Sequence, residues 1–412
     1  MTPLKGAAAL DAGLAGARPA RGELTGERLF LLAGLAALGA LATNIILPAF
    51  PEMAQALHAS TQDLSATLSS FFVAFALGQL FVGPLSDRFG RQWLVLGGLL
   101  TFALGSVLCI LATSLPQLIV GRIVQALGVC ATSVLARAIA RDLFDGEQLA
   151  RVLSLIMVAM AAAPGFSPLL GQAFNSALGW RATFGFVGVL ALVLAVHYRL
   201  RLGETHHRAH RSALSLRAVL TGYGQLLRDR RFIAPALSVS LVIGALYAFF
   251  SMAPAILMTG FGLSALAMGV FFAATVLVVF AGGFLAPRLA RRWGAAPVVR
   301  AGMGIALAGS LALLVGPHDF YFFSAALSVF LLGMGILNPL ATAIALQPFG
   351  QQAGAASALL GFLQMGCAAT AITLGSAGGL TAYGALGIIL SVSLTASLLV
   401  FRALRSTAPA AA

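Results

Sequence analysis

Long uncharged apolar runs, each closed by a short polar segment, follow one another along almost the whole chain. Leu29–Pro51, Leu64–Leu85, Trp93–Leu115, Val152–Phe174, Ile233–Met258 and Phe320–Leu346 contain no charged residue. Each reaches the ~20 residues that carry an α-helix across a bilayer. Shorter or weaker runs at Ala182–His197, Ala265–Leu285, Ala301–Val315, Ala353–Gly375 and Tyr383–Phe401 add five more spans. Gln117–Ala136, admitted despite Arg122, brings the prediction to twelve. The apolar/polar alternation over ~10-residue strands that marks an outer-membrane barrel is absent. The pattern predicts an all-α membrane protein.

Composition agrees: 60% of the residues are hydrophobic and 9% charged, against roughly 25% charged in a soluble domain. Charge then supplies orientation. With spans numbered in order, 23 of the 25 basic residues fall on one side, the exceptions being Arg122 and Arg181. By the positive-inside rule that side is cytoplasmic and holds both termini, which predicts a multi-pass membrane protein. The net charge of +13 is then a matter of topology. The arginines are spread over separate short loops without a recognition module, so no nucleic-acid partner is expected. Residues 1–28 have no uninterrupted apolar core or cleavage site and read as a cytoplasmic tail. Cys109, Cys130 and Cys367 are dispersed within spans and read as packing residues, with neither disulfide nor metal-ligand spacing.

The one long internal polar stretch, 199–231, carries eight arginines. It divides a six-span half, 29–198, from a second, 232–404, ahead of a short tail, 405–412. Its HHRAHR run (His206, His207, His210) fits a metal or pH sensor, or simply a solvated loop beside anionic lipid. A repeat supports the division. GPLSDRFGRQW (Gly83–Trp93) and GFLAPRLARRW (Gly283–Trp293) share Gly, Leu, two Arg and Trp at an offset of 200 residues, with Pro287 opposite Asp87 and Ala290 opposite Gly90. Parallel six-span repeats around a midplane cavity are a transporter architecture.

Three groups of residues carry candidate chemistry. Gly83 and Gly90 permit a tight turn, where Asp87 can accept hydrogen bonds from Arg88 and Arg91 and face the positive N-terminal end of span 11. In span 5, Pro164 and Pro168 interrupt backbone hydrogen bonding while Gly165 and Gly171 allow close helix approach. Those four are read either as a sealed, bendable contact or as a simple kink. Arg122 is the one charge inside a predicted span, about six residues or ~9 Å from its outer end. Gln125 follows one turn on, and Thr43 and Asn44 of span 1 lie at similar depth. These four are expected to form a polar cluster facing a cavity; the alternative is an arginine satisfied by backbone carbonyls as a structural staple.

Gly83–Arg91 resembles the loop signature of the major facilitator superfamily, and LIVGRIVQALG (Leu118–Gly128) its span-4 signature with an embedded Arg. APGFSPLLG (Ala163–Gly171) resembles the span-5 signature of its drug antiporters. With LPAFPEM (Leu47–Met53), RAIARDLF (Arg137–Phe144) and GWRATF (Gly179–Phe184), the set is most similar to the bicyclomycin and chloramphenicol resistance exporters, the Bcr/CflA group. The resemblance implies two pseudo-symmetric six-helix bundles, the major facilitator fold. It also implies a latch at Gly83–Arg91 that holds the halves together in the outward-open state, and export of a small organic molecule by proton antiport across a bacterial inner membrane. Spans 1, 4, 7 and 10 would line the cavity, offering Asn44, Arg122, Tyr247, Phe249, Phe250 and Asn338.

One departure bears on coupling. Relatives often carry an acid in span 1 just before the LPA run, where this chain has Asn44, and an amide cannot carry a transported proton. All twelve acidic residues fall in tails, loops or span ends. Three readings stay open: Glu52 enters the cavity mouth as the proton site; the substrate itself supplies the counter-ion to Arg122, as an anionic metabolite or a chelator such as a siderophore would; or the protein is a facilitator without protons. No nucleophile–base pair or cofactor motif points to an enzyme, and no filter sequence to a channel. The expected partners are small-molecule substrate, protons and membrane lipid, and a monomer is expected.

Overall fold

The computed structural model describes residues 25–206, 216–377 and 379–403. Twelve helices in it are long and apolar enough to span a membrane: Gly26–Ala56, Ser65–Phe89, Arg91–Leu111, Leu115–Leu143, Gly146–Leu178 and Arg181–Arg201, then Arg230–Gly260, Ala265–Trp293, Ala295–Val315, Phe320–Phe349, Gly354–Ala377 and Ala382–Arg402. They are spans 1 to 12. No strand occurs among the described residues. An amphipathic linker helix, Leu216–Arg228, joins the halves. Within HHRAHR only His206 is described. Its amide donates to the Glu204 carboxylate at 2.9 Å.

Several spans overrun the predicted apolar runs at the arginine-rich end. Arginine there remains helical because its aliphatic stem covers apolar surface while the guanidinium reaches water. Two expectations change as a result. Gly83 lies inside the span 2 helix, and the turn is made by Gly90 alone, at φ 96°, where a side chain would be strained. Arg137 lies inside the span 4 helix, half-buried, with Nη1 3.7 Å from Met160 Sδ; Arg122 is therefore not the only embedded charge. Span 1 breaks at the LPAFP run. Pro48 and Pro51 have no N–H to give the preceding turn, and Leu47–Ala49 tightens into a 3₁₀ turn.

The halves repeat in a register shifted by four residues from the sequence match. Gly90 and Gly294 make the same turn, at φ 96° and 80°. Arg88 lies over the Phe89 ring and Arg292 over Trp293. Gly98 packs on the Gly128 carbonyl and Gly302 on that of Gly333. So Gly294, not Ala290, corresponds to Gly90, and Arg291, not Pro287, to Asp87.

Between the halves, span 2 packs on span 11 and span 5 on span 8. Gln62 Nε2 donates to Ser376 O at 2.7 Å at the end away from the termini, and Phe72 meets Tyr247 with ring centroids 4.5 Å apart. At the arginine-rich end the linker helix crosses the seam. Pro84 lacks the N–H that would bond Leu80 O in span 2, and Tyr223 Oη of the linker donates to that carbonyl at 2.8 Å. Burial raises the phenol's pKa, so it remains a donor.

Candidate functional site

Arg122 is completely buried. Nη1 donates to Ala42 O of span 1 at 3.1 Å and to Gln125 Oε1 at 2.8 Å. Gln125 Nε2 in turn donates to Ser106 Oγ of span 3 at 2.8 Å, and the guanidinium carbon lies 4.4 Å from the centroid of Phe71 in span 2. The sequence builds this enclosure with glycine. A Cβ on Gly105 would meet Gln125 Cα at 2.9 Å, and one on Gly121 would meet the Cys109 amide nitrogen at 2.9 Å. Spans 3 and 4 therefore approach at backbone distance and seal the arginine from one side. Guanidinium has five N–H donors, yet Nε and Nη2 have no partner. No carboxylate lies in an ion pair with it among the described residues. A charge at the centre of a spanning helix costs about 2.5–3.5 kcal/mol even on the mildest scale.

The hydrogen-bond and ring partners of Arg122 all belong to the first half, and with no exposed surface it lies behind the inter-half seam rather than on an open cavity wall. From it the contacts run outward through Phe71 to Phe72, whose rings are 5.9 Å apart, and then across to Tyr247. Gln125 joins the cluster as expected. Thr43 and Asn44 are buried next to it, but their side chains bond their own helix: Thr43 Oγ1 to Ala40 O at 3.0 Å and Asn44 Nδ2 to Ala40 O at 2.8 Å. Tyr247 packs on Phe250 and Phe72, Phe249 on Phe272, and Asn338 is half-buried before Pro339; none of them reaches Arg122. Glu52 is exposed at the far end beside Gly179.

The span 5 motif is a packing device on two sides. A Cβ on Gly171 would collide with Ile45 O at the span 1 break, and one on Gly165 would collide with Val276 of span 8. Leu169 in turn fills the place above Gly269. Pro164 and Pro168 sit within a continuous helix.

At the arginine-rich end Arg91 is the hub. Its guanidinium pairs with Asp87 at 2.6 Å and Asp142 at 3.2 Å and reaches Ser86 Oγ, while its amide donates to Glu204 Oε1 at 2.9 Å. Thr205 Oγ1 also donates to Asp142, at 3.2 Å. Spans 2, 3 and 4 and the start of the linker are tied together. Asp87 also lines a cleft with Arg217 of the linker and Gly354 at the start of span 11, where the sequence expected a partner. Arg88 points elsewhere. Ser106, Phe71, Asp142, Glu204 and Tyr223 were not singled out in the sequence, since ordinary side chains acquire these roles only through packing.

Residues 32–372 match the family model described as Major Facilitator Superfamily. An uncharacterised MFS-type transporter of Bacillus subtilis, YdgK, is 32% identical over 82% of this chain and 86% of its own. A bicyclomycin resistance protein homolog of Haemophilus influenzae is 29% identical over 79% of this chain and 83% of its own. Among solved structures, the human organic anion transporter MFSD10 is 16% identical, with TM-score 0.67, covering 92% of this chain and 100% of its own. That likeness shows the fold.

Proposed function

The chain belongs to the major facilitator superfamily and is a membrane transporter rather than an enzyme, and from that premise we propose that it exports a small organic molecule from a bacterial cytoplasm by proton antiport. The two halves would alternate access, with both termini in the cytoplasm, as in a Bcr/CflA-type drug exporter. The drug-resistance relative supports the substrate class, and the arginine-rich end supports the orientation. The observation that carries the reading is Arg122, a buried cation with two unpartnered nitrogens one aromatic layer behind the seam. Parting the halves there separates Phe72 from Tyr247 and gives the guanidinium a route to the cavity. In this reading Glu52 exchanges the proton and Asp87–Arg91 closes the cytoplasmic end.

The missing carboxylate favours a second reading, in which an anionic or chelating substrate brings the counter-charge itself. Inverted vesicles separate the two. With a pH gradient imposed, a substrate found by growth screening of a deletion strain should accumulate, and the gradient should partly collapse on its addition. Glu52→Gln should remove that collapse under the first reading and leave it unchanged under the second. Entry that only equilibrates across the membrane and is indifferent to the gradient would leave only facilitation, and no entry of any screened compound would refute export.

A further inference from the structure

At the arginine-rich end, spans 2, 3 and 4 enclose a groove of about 690 Å³ on the outer surface of the first half, away from the seam. Its floor is open because Gly97 has no side chain and nothing lies within 4 Å of where a Cβ would stand. Thr101 and Ala131 leave the rest of the slot shallow.

The second half shows what the same scaffold does without the groove. In the structural register, Ile305 stands for Thr101 and Ile336 for Ala131. There Ile336, Val298 and Ala286 are 5%, 3% and 0% exposed and form their own small cluster, with Ile305 and Leu332 packed on it. Two isoleucines fill the place that the first half leaves empty.

Three side chains frame the mouth. Trp93 is 73% exposed and Phe89 47%; the amphipathic indole is of the kind that settles at a membrane interface. Arg88 contacts only the Phe89 ring, at 5.1 Å to the centroid, and forms no ion pair among the described residues. The adjacent Asp87 is turned to the other side of the helix and held by Arg91.

We propose that this groove binds one anionic phospholipid, with an acyl chain along Gly97 and Ala131 and the phosphate on Arg88. An apolar slot open to the bilayer selects the chain, and an uncompensated guanidinium at headgroup level selects the phosphate. The mouth holds no carboxylate to receive the ammonium of a zwitterionic lipid, which favours a net negative headgroup.

The test uses Trp93 as reporter in a Trp180→Phe/Trp293→Phe protein, reconstituted in phosphatidylcholine. An equal minor fraction of brominated phosphatidylglycerol or brominated phosphatidylcholine is added, and quenching is compared. One arginine at an anionic surface corresponds to about fivefold enrichment of the anionic lipid, so its quenching should exceed that of the zwitterionic lipid accordingly. Arg88→Gln should abolish the difference. Gly97→Leu, which fills the groove from an unobstructed position and keeps the helix, should abolish it too. Equal quenching by both lipids in the parent would overturn the site. So would a preference that survives Gly97→Leu, since it would then be surface charge alone.

Discussion

Replacing Arg122 by methionine separates a transport role from a structural one. The substitution removes two charge-assisted hydrogen bonds, to Ala42 O and Gln125 Oε1, and strands the Gln125 acceptor at a cost of about 1–3 kcal/mol. It also removes a fully desolvated cation with no counter-ion, whose burial costs several kcal/mol. Exchanging buried ions for apolar groups of similar shape is often neutral or stabilising by about 1–4 kcal/mol, and methionine fills the same elongated slot. The net effect on stability should lie within about 2 kcal/mol of zero, whereas alanine would add a cavity cost of about 2–5 kcal/mol. Transport should behave differently. If the unpartnered donors receive an anionic group of the substrate or a proton-linked carboxylate, losing two such bonds lowers transport at least about a hundredfold. Thermal unfolding of the purified protein and uptake into inverted vesicles measure the two sides. Near-normal transport by Arg122→Met would refute the role proposed for the guanidinium; a protein that unfolds or fails to insert would make it a staple.

The linker clasp gives a double-mutant prediction: Tyr223→Phe should cost about 1–3 kcal/mol because Leu80 O loses its donor, and nearly nothing beside Pro84→Ala, whose restored N–H takes over; equal costs in both backgrounds would refute it. Gly171→Ala should destabilise by at least about 1–3 kcal/mol through collision with Ile45 O, while Gly97→Ala, facing open space, should be neutral or gain up to about 1 kcal/mol; similar melting shifts would show that span 1 is not fixed by that contact. Asp87→Asn should lower the maximal transport rate more than the apparent substrate affinity if, as proposed, its bond to Arg91 serves to close the arginine-rich end; an equal loss in both would place Asp87 elsewhere in the cycle.

The number and order of the spans were legible because bilayer thickness imposes a length that apolar runs display directly. Arg122 and Gln125 were legible as a pair through helical spacing. Helix ends were not, since arginine stems extend a span without adding hydropathy; hence Arg137 was placed outside the helix that contains it, and the turn expected of Gly83 and Gly90 together is made by Gly90 alone. The repeat register misled for a similar reason. Trp93 and Trp293 match in sequence, but the turns are fixed by backbone conformation, which Gly90 and Gly294 carry. The seam and the rear position of Arg122 depend on which faces meet, and small-residue contacts such as Gly105 on Gln125 leave little trace in hydropathy.

The duplicated architecture also bears on why a bare cation is kept at all. Gly98 and Gly128 correspond to Gly302 and Gly333, which places Leu327 and Phe330 of the second half where the first has Arg122 and Gln125. Both are fully buried, and Phe330 packs on Gly309 as Gln125 does on Gly105. The same helix-on-helix slot is thus closed in one half by wholly apolar side chains, so the packing of spans 3 and 4 does not itself require a guanidinium. What the first half gains over the second is charge and unspent hydrogen-bonding capacity, held next to the aromatic contact that the two halves share. An asymmetry of this kind supports the proposed role of Arg122 in the transport cycle, with the second half as the apolar partner of the first.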